Sequence, residues 1–345
     1  MRTEFLGLSI STENINVSYL NRHGIRYELD VLASLNTTNN TNRVANILQT
    51  EPSFFSDSMK KIGVRSRNVV ICVPEDQVLT RLVNIPNLPE NEVKDAIYFA
   101  FKSMIPVDID TQNVTFLPAT EKLFHKDFKS YYVVSMDKSK AIEYFEYFQK
   151  AGYNLLAIET ESLANLRCAN YNMKPLDSEH FMIVDLGAEH TTITLNSKDV
   201  VLYSQVLNLG GNAMTRLIAA DLGIDITQAE KLKVQCGLDQ SQLDGKVANS
   251  IKPVVDSLLE EIQKIVLYHR EKISVPRNLK LGYLFGGGAS LIGLDSFLSS
   301  ATNMLFTKVE PLKNIQVPKK LEKDLLNRVN LPQFASCIGV SLKNE

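Results

Sequence analysis

The segment with the clearest potential for ligand chemistry lies near the middle of the chain. Residues 181–195 read FMIVDLGAEHTTITL, so a run of apolar residues ends at Asp185 and Gly187 follows two positions later. A glycine at a strand end allows backbone N–H groups to approach an anion, and a neighbouring carboxylate can hold a hydrated Mg²⁺ on phosphates. Thr191 and Thr192 add hydroxyl groups at or beyond the turn. A plain surface hairpin, in which Asp and Gly only form the turn, explains the same pattern.

Two glycine-rich turns further along the chain also have two interpretations. Gly210 and Gly211 lie between a predicted strand and a predicted helix, where free N–H groups and the helix dipole favour a phosphate. A tight turn is the alternative at this position. A later run of three glycines separates an apolar strand from a helix, and its backbone could lie flat against a ligand or serve as a flexible connector. This run comprises Gly286, Gly287 and Gly288.

One pair of charged residues is spaced so that both side chains act at the same place. Glu230 and Lys233 are three positions apart in the stretch QAEKLK, and they therefore share one face of a predicted helix. A solvated ion pair on the protein surface has the same spacing. The spacing alone does not decide between a ligand site and a surface ion pair, so the surrounding elements have to decide.

Those elements repeat along the chain. The first segment, FLGLSISTENINVSYLNRHGIRYELDVLASL, alternates apolar and polar residues in three runs and predicts an antiparallel three-strand meander. A helix over about residues 41–62 and a buried strand, RNVVICVP, follow. From Asn154 a strand and a helix lead into a second meander, and the stretch FLGLSISTENINVSYL of the first meander aligns with IVDLGAEHTTITL of the second. This internal duplication predicts a two-lobed fold built from a repeated unit.

A compact α+β unit interrupts the first half of this repeat. Its predicted order is strand, helix, strand, strand, helix, with Pro106 ending the first helix and Gly152 ending the second helix, Lys138–Ala151. In the second half, a helix over Asp256–Lys272 and an apolar final helix, LPQFASCIGVSLK, complete the predicted elements.

Composition narrows the class of protein. The 345 residues are too many for one ordinary core. A net charge of −2 gives no electrostatic reason to expect nucleic acid or an anionic membrane as a partner. The four cysteines are widely scattered, and no apolar stretch approaches the length of a membrane span. We therefore expect a soluble cytoplasmic protein that reaches a membrane only through a partner.

Taken in order, the motifs resemble the actin and heat-shock-chaperone ATPase fold. More narrowly, the sequence resembles the PilM family of type IV pilus assembly proteins, which are relatives of the cell-division protein FtsA. The resemblance runs from Phe5 to Leu342. It rests on the stretches NIPNLPENEVKDAIYFAFKSMIPVDID, IETESLANLR, LGGNAMTRLIAADLGIDITQAEKLK, EIQKIVLYHR and LFGGGASLIGLDSFL.

The resemblance implies an α/β protein with an actin-like two-lobed ATPase fold, in which duplicated ribonuclease-H-like units are joined by an inserted α+β, SHS2-like subdomain. It places the first part of lobe I at residues 1–76, the inserted subdomain at 77–153, the second part of lobe I at 154–178, the nucleotide-binding lobe II at 179–325, and a terminal helix that returns to lobe I at 326–345.

The resemblance also implies that ATP lies in the cleft between the lobes. It assigns Ser9 and Ser11 to a first phosphate hairpin, Asp185, Gly187 and Thr191 to a second, Gly210 and Gly211 to the turn near the phosphates, Glu230 and Lys233 to the adenosine, and Gly286, Gly287 and Gly288 to the loop beside the adenine. Asp185 would hold Mg²⁺ through a metal-bound water. Glu161 stands where an acid can face the metal or the attacking water, which makes it the candidate catalytic residue.

One position departs from the family pattern. The first phosphate hairpin normally contains an acid like that of the second, but here Ser9 stands in its place. A serine can donate or accept a hydrogen bond but brings no charge to Mg²⁺. We therefore expect that the chain binds nucleotide and hydrolyses it weakly or not at all, since the protein contributes metal placement and water orientation to phosphoryl transfer.

The resemblance to PilM-like proteins also implies a cytoplasmic scaffold that holds the N-terminal tail of a membrane partner, PilN. The resemblance implies this partner, together with other pilus assembly proteins including the motor ATPase, and it leaves homo-oligomers open. Residues 78–85 and 97–101 of the inserted subdomain are the candidates to line a peptide groove, and the alternative is that these apolar residues form the small subdomain's own core. Two alternatives stay open: an active ATPase or sugar-type kinase of the same fold, and an FtsA-like membrane-associated filament protein, although no amphipathic helix is expected after the last core helix.

Overall fold

The computed structural model describes residues 4–11, 14–36, 47–119, 127–177, 179–198, 200–273, 277–322 and 330–343. The strands are β1 (Leu6–Ile10), β2 (Asn14–His23), β3 (Arg26–Asn36), β4 (Asn68–Val73), β5 (Leu79–Pro86), β6 (Gln112–Pro118), β7 (Phe128–Asp137), β8 (Asn154–Thr160), β9 (Glu179–Leu186), β10 (Thr191–Asn196), β11 (Val201–Leu207), β12 (Asn278–Phe285) and β13 (Leu305–Lys308). The helices are α1 (Pro52–Lys61), α2 (Glu90–Lys102), α3 (Lys138–Lys150), α4 (Glu161–Asn172), α5 (Gly211–Leu222), α6 (Ile226–Cys236), α7 (Lys246–Lys272), α8 (Leu294–Thr302) and α9 (Ala335–Ser341).

Two five-stranded sheets have the same strand order, which confirms the predicted duplication. One sheet runs β3-β2-β1-β4-β8 and the other runs β11-β10-β9-β12-β13. In each sheet the first three strands form an antiparallel meander. The next two strands are parallel to the first strand of that meander. This mixed α/β architecture is the two-lobed fold expected from the sequence.

The two meanders also match residue by residue at their first turn. Ser9 pairs with Asn16 across β1 and β2, and Asp185 pairs with Thr192 across β9 and β10. Each of the two residues lies two positions before an equivalent backbone hydrogen bond of 3.0 Å that closes its hairpin. Ser9 and Asp185 therefore occupy the same position in their respective lobes.

A third sheet, in the order β5-β7-β6, forms the inserted subdomain. Helix α2 packs on it, and the core between them contains Val83, Ile85, Ile97 and Phe101, all buried. The sequence analysis had offered these apolar stretches as the lining of a peptide groove. The alternative, that these residues form the core of the small subdomain itself, holds for these four side chains.

Helix α3 belongs to the core of lobe I rather than to that of the inserted sheet. Its buried residues Tyr144, Tyr147 and Phe148 pack in one cluster with Leu8 of β1 and Ile71 of β4. The sequence pattern predicts a buried face on α3 but does not say which sheet covers it. The buried face of α3 thus packs against the first sheet, and Met136 of β7 lies in the same cluster.

Two helices differ from the predicted bounds. Helix α7 begins at Lys246, ten residues before the predicted start, and contains Pro253 in its interior. A proline leaves the carbonyl four residues earlier without its helical donor, but Asn249 is exposed and water can satisfy its carbonyl. The helix predicted over about residues 41–62 is also different, because α1 covers only the later part of that range. Residues 41–46 lie outside the described residues.

Helices α4 and α9 lie side by side between the lobes. Ala164 of α4 packs with Val340 of α9 against the first sheet, whereas Leu166 and Cys168 of α4 pack into the core of the second lobe. A Cβ atom at Gly339 would lie 1.9 Å from the Ala164 carbonyl oxygen, so the close crossing of the two helices requires glycine at this position. Among the described residues, no helix combines the length and apolar composition needed to cross a membrane.

Candidate functional site

A cleft of about 780 Å³ opens between the two lobes, at the ends of β1 and β9. Residues from separate parts of the sequence meet in it, as expected for a site at the junction of two repeated units. The predicted site residues that line it are Ser9, Ser11, Glu161, Asp185, Gly187, Gly211, Glu230, Lys233, Gly286, Gly287 and Gly288.

Two predicted residues, Thr191 and Gly210, are not among those that line the cleft. The Thr191 hydroxyl is buried and donates to the Leu209 carbonyl at 2.6 Å, whereas Thr192, one residue along the strand, lines the cleft. Side chains alternate between the two faces of a strand, so of the two threonines at this turn only Thr192 lines the cleft, and the assignment of Thr191 to the second phosphate hairpin is not supported. Gly210 has a packing role, because a Cβ atom there would lie 2.4 Å from the Ala188 carbonyl oxygen.

The start of α5 is joined to the second hairpin by backbone hydrogen bonds. Gly211 donates to the Gly187 carbonyl at 2.9 Å, and Asn212 donates to the Ala188 carbonyl at 2.8 Å. The N–H group of Gly211, which the sequence pattern had offered to a phosphate, is therefore already bonded. Within the described residues, the amides of Ala188 and Glu189 at the hairpin tip have no protein acceptor, and both residues line the cleft. These tip amides are the better phosphate donors.

Three carboxyl groups face one another across the cleft. Burial raises the pKa of Asp185 to about 6. Burial, followed by the charges of Asp185 and Glu75, raises the pKa of Glu161 well above its ordinary range. Burial also raises the pKa of Glu75, which is only 5% exposed and accepts a hydrogen bond from the Ser162 amide at 3.0 Å. Negative charge here is costly unless a cation compensates it.

These acids do not form a direct metal cage. Among the described residues, no group of three or more His, Cys, Asp or Glu side chains is arranged to hold a metal ion. Mg²⁺ usually keeps several of its waters and contacts proteins through few carboxylates, so a hydrated ion on a bound phosphate fits this donor set better than a bare ion does. The Ser9 hydroxyl donates to Glu161 at 3.4 Å and adds no charge.

Glu230 and Lys233 hold α5 and α6 together. The Lys233 ammonium donates to the Gly211 carbonyl at 3.0 Å, to the Thr215 hydroxyl at 2.9 Å and to Glu230 Oε2 at 2.7 Å. An ammonium group has three donors, and all three are used within the protein. Glu230 is the more exposed member of the pair, which leaves its carboxylate as the group able to accept from a ligand hydroxyl.

The three glycines after β12 have three different surroundings. Gly286 has a φ of 77°, and a Cβ atom there would lie 2.4 Å from Asp185 Oδ1. A Cβ atom at Gly288 would meet the Leu186 side chain at 2.3 Å. Among the described residues, and apart from its two chain neighbours, no atom lies within 4 Å of the corresponding position at Gly287. Gly286 and Gly288 are thus explained by packing, whereas Gly287 lines the cleft with open space beside it.

Sequence reasoning missed Glu75, Ala188 and Asn16 as cleft residues. Glu75 follows the proline that ends β4, and its hydrogen-bond partner is 87 positions away, so no local pattern indicates it. Asn16 could have been found, because it is the cross-strand neighbour of Ser9. Its amide donates to the Gln333 carbonyl at 2.9 Å.

Comparisons with known proteins agree with this architecture. The model of the type IV pilus assembly protein PilM family matches residues 7–345. A solved structure titled "PilM-PilN type IV pilus biogenesis complex" is 25% identical, covers 99% of this chain and 98% of that chain, and superposes with a TM-score of 0.79. MreB 5 of Spiroplasma citri bound to AMPPNP has 12% identity, 99% and 96% coverage and a TM-score of 0.52, and so shares the fold. Cell division protein FtsA of Neisseria meningitidis serogroup B is 22% identical over 177 residues, which span 46% of this chain and 41% of that protein.

Proposed function

The chain belongs to the PilM family of type IV pilus assembly proteins, and we propose that it is an actin-like scaffold with two binding sites. One site is the interlobe cleft, which takes an adenine nucleotide. The other is a surface of the inserted subdomain, which takes the N-terminal tail of a PilN-type inner-membrane protein. The observation that supports this proposal most strongly is the match over nearly the full length of both chains to a structure titled as a complex with PilN.

The proposed nucleotide site uses residues of both lobes. The tip amides of Ala188 and Glu189 receive a phosphate, Glu230 accepts from the ribose, and the open side of Gly287 lies against the base. Asp185 would hold Mg²⁺ through a metal-bound water, and the ion would supply positive charge against the phosphates. MreB 5 of Spiroplasma citri, whose solved structure is bound to AMPPNP, has the same fold at 12% identity. This supports a nucleotide as the ligand class but does not assign these contacts.

Slow turnover follows from the asymmetry between the two hairpins. Ser9 occupies the position that Asp185 has in the other lobe, so the first hairpin contributes no charge to a metal. Glu161 is the remaining acid that could orient a water, but burial and its acidic neighbours raise its pKa and favour the protonated, non-basic form. We infer a protein that retains ATP rather than one that turns it over rapidly.

The proposed peptide surface is the exposed part of the inserted subdomain. Phe99 on α2 is 80% exposed, and Met104 and Val107, which follow the same helix, are also exposed apolar residues. Exposed apolar side chains that lie close together are typical of an interaction surface. The partner's tail would place the protein at the cytoplasmic face of the inner membrane, and contacts with other pilus proteins, the motor ATPase or a second copy would add to this arrangement.

Isothermal titration calorimetry with a synthetic peptide from the N-terminus of the PilN-type partner tests the scaffold proposal. We expect saturable binding with a dissociation constant on the order of micromolar, and no binding of a scrambled peptide of identical composition. Equal heats for both peptides, or no heat for either, would contradict the proposed partner. Nucleotide binding is measured separately, so that the two sites succeed or fail independently.

A further inference from the structure

A chain of hydrogen bonds connects the interlobe helices to the acid of the second hairpin. Asn165 on α4 is 3% exposed, and its Nδ2 donates to Asp185 Oδ2 at 2.6 Å. The Ser336 hydroxyl on α9 donates to Asn165 Oδ1 at 2.9 Å. These bonds link α9, α4 and β9, so the orientation of the Asp185 side chain is determined by both helices that lie between the lobes.

The chemistry of the three groups fixes their orientation. A carboxylate only accepts hydrogen bonds, so the amide must present Nδ2 to Asp185 and therefore Oδ1 to Ser336. The serine hydroxyl can then donate to that oxygen. Turning the Asn165 amide over would place its oxygen against a carboxylate oxygen, which is unfavourable. Asn165 is thus held in one orientation, and it holds Asp185 in turn.

The other oxygen of Asp185 is confined as well. A Cβ atom at Gly286 would lie 2.4 Å from Asp185 Oδ1, so the absence of a side chain at Gly286 gives this oxygen its place. Among the described residues, no protein hydrogen bond to Oδ1 accompanies the bond that Asn165 makes to Oδ2. Oδ1 is therefore the oxygen that remains to accept from a metal-bound water.

The Asn165 amide is an uncharged donor, and this affects the net charge at Asp185. An Arg or Lys in place of Asn165 would orient the carboxylate equally well but would cancel its charge. The amide orients it and leaves the charge in place. This matters here because Ser9, at the equivalent position of the other hairpin, contributes none.

We propose that Asn165 is a positioning residue for the cation of the bound nucleotide, acting through Asp185, and that Ser336 keeps Asn165 in place. The inference rests on the nucleotide site proposed above and deepens it. It predicts an effect confined to the Mg²⁺-dependent part of nucleotide affinity. A residue with only a structural role would change affinity with and without the metal alike.

The test is the ratio of ATP affinities in Mg²⁺ and in EDTA, measured by calorimetry on the full chain. We expect the natural chain to bind ATP more tightly in Mg²⁺ than in EDTA. In Asn165→Ala the affinity in Mg²⁺ should fall about tenfold, while the affinity in EDTA should stay unchanged. Ser336→Ala, which leaves the amide in place and is the milder change, should lose part of the gain. Asn172→Ala is the matched control, since Asn172 is also a buried, hydrogen-bonded asparagine on α4, bonded to Asn314.

Each outcome decides a different question. A parallel loss in Mg²⁺ and EDTA, or an equal loss in the Asn172 control, would overturn the positioning role and leave nucleotide binding intact. Equal affinities of the natural chain in Mg²⁺ and EDTA would overturn it too. No ATP binding by the natural chain under either condition would overturn both this inference and the nucleotide site itself.

Discussion

Replacing Asp185 by Asn should stabilise the protein in the absence of nucleotide. Burial raises the pKa of Asp185 from 3.8 to about 6, which means that the folded protein disfavours the ionised carboxyl relative to the unfolded chain. The sign follows from linkage: the penalty is absent below about pH 4, grows as the pH rises, and is complete above about pH 6. Asparagine has nearly the same shape, can still accept from Asn165, and never ionises.

The size of this stabilisation follows from the same shift in the pKa of Asp185. One pH unit corresponds to about 1.4 kcal/mol, so moving the pKa from 3.8 to about 6 costs about 3 kcal/mol at pH 8. For a chain of this size, 1 kcal/mol shifts the melting temperature by roughly 2 °C. Asp185→Asn should therefore melt about 6 °C higher at pH 8, and the gain should fall to about half at pH 5.

Scanning calorimetry at the two pH values measures this gain. Asp95→Asn is the matched control, because it removes one charge from an exposed position on α2, and surface substitutions of this kind change stability little. A variant that melts lower than the natural chain at pH 8, or a gain that is independent of pH, would refute the burial argument. With MgATP present the order should reverse, since the variant loses its contact with the metal-bound water.

Three further predictions test other parts of the site and the proposed peptide surface. Gly287→Ala should leave the melting temperature of the free protein unchanged and weaken ATP binding about tenfold. Gly286→Ala should lower the melting temperature, because Gly286 has a φ of 77° and lies against the second hairpin. Equal melting temperatures of the two variants would contradict this difference. Ser9→Asp should raise Mg²⁺-dependent phosphate release above that of the natural chain and destabilise the free protein, since the new acid lies beside Glu161; unchanged release in a phosphate assay would count against the asymmetry argument. Phe99→Ala should not alter thermal stability, because the side chain is 80% exposed, but should weaken binding of the PilN-type peptide severalfold in calorimetry.

Local sequence patterns predicted most of the fold. The hairpin that contains Ser9 and the hairpin that contains Asp185 were recognisable as equivalents because strand alternation and turn residues are short-range signals. The repeated strand order of the two sheets follows from that equivalence. The packing partner of α3 did not follow, because an amphipathic helix shows which face is buried and not which sheet buries it.

The site was predictable to the extent that its residues belong to turns. The sequence pattern offers both Thr191 and Thr192, and only the register of the hairpin decides between them, because a shift of one residue exchanges the two faces of a strand. The bonds from Gly211 and Lys233 to their neighbours depend on how α5 meets the second hairpin and α6. Asn165 was not recognised at all, because its partners Asp185 and Ser336 are 20 and 171 positions away.

A scaffold of the proposed kind holds ATP in the interlobe cleft without consuming it rapidly. To test this, the purified chain is incubated with Mg²⁺ and ATP labelled on the γ-phosphate, protein is separated from free nucleotide, and the label is followed over time. We expect intact ATP to stay with the protein at close to one equivalent over many minutes. Rapid release of labelled phosphate, or no label retained at the first time point, would contradict it.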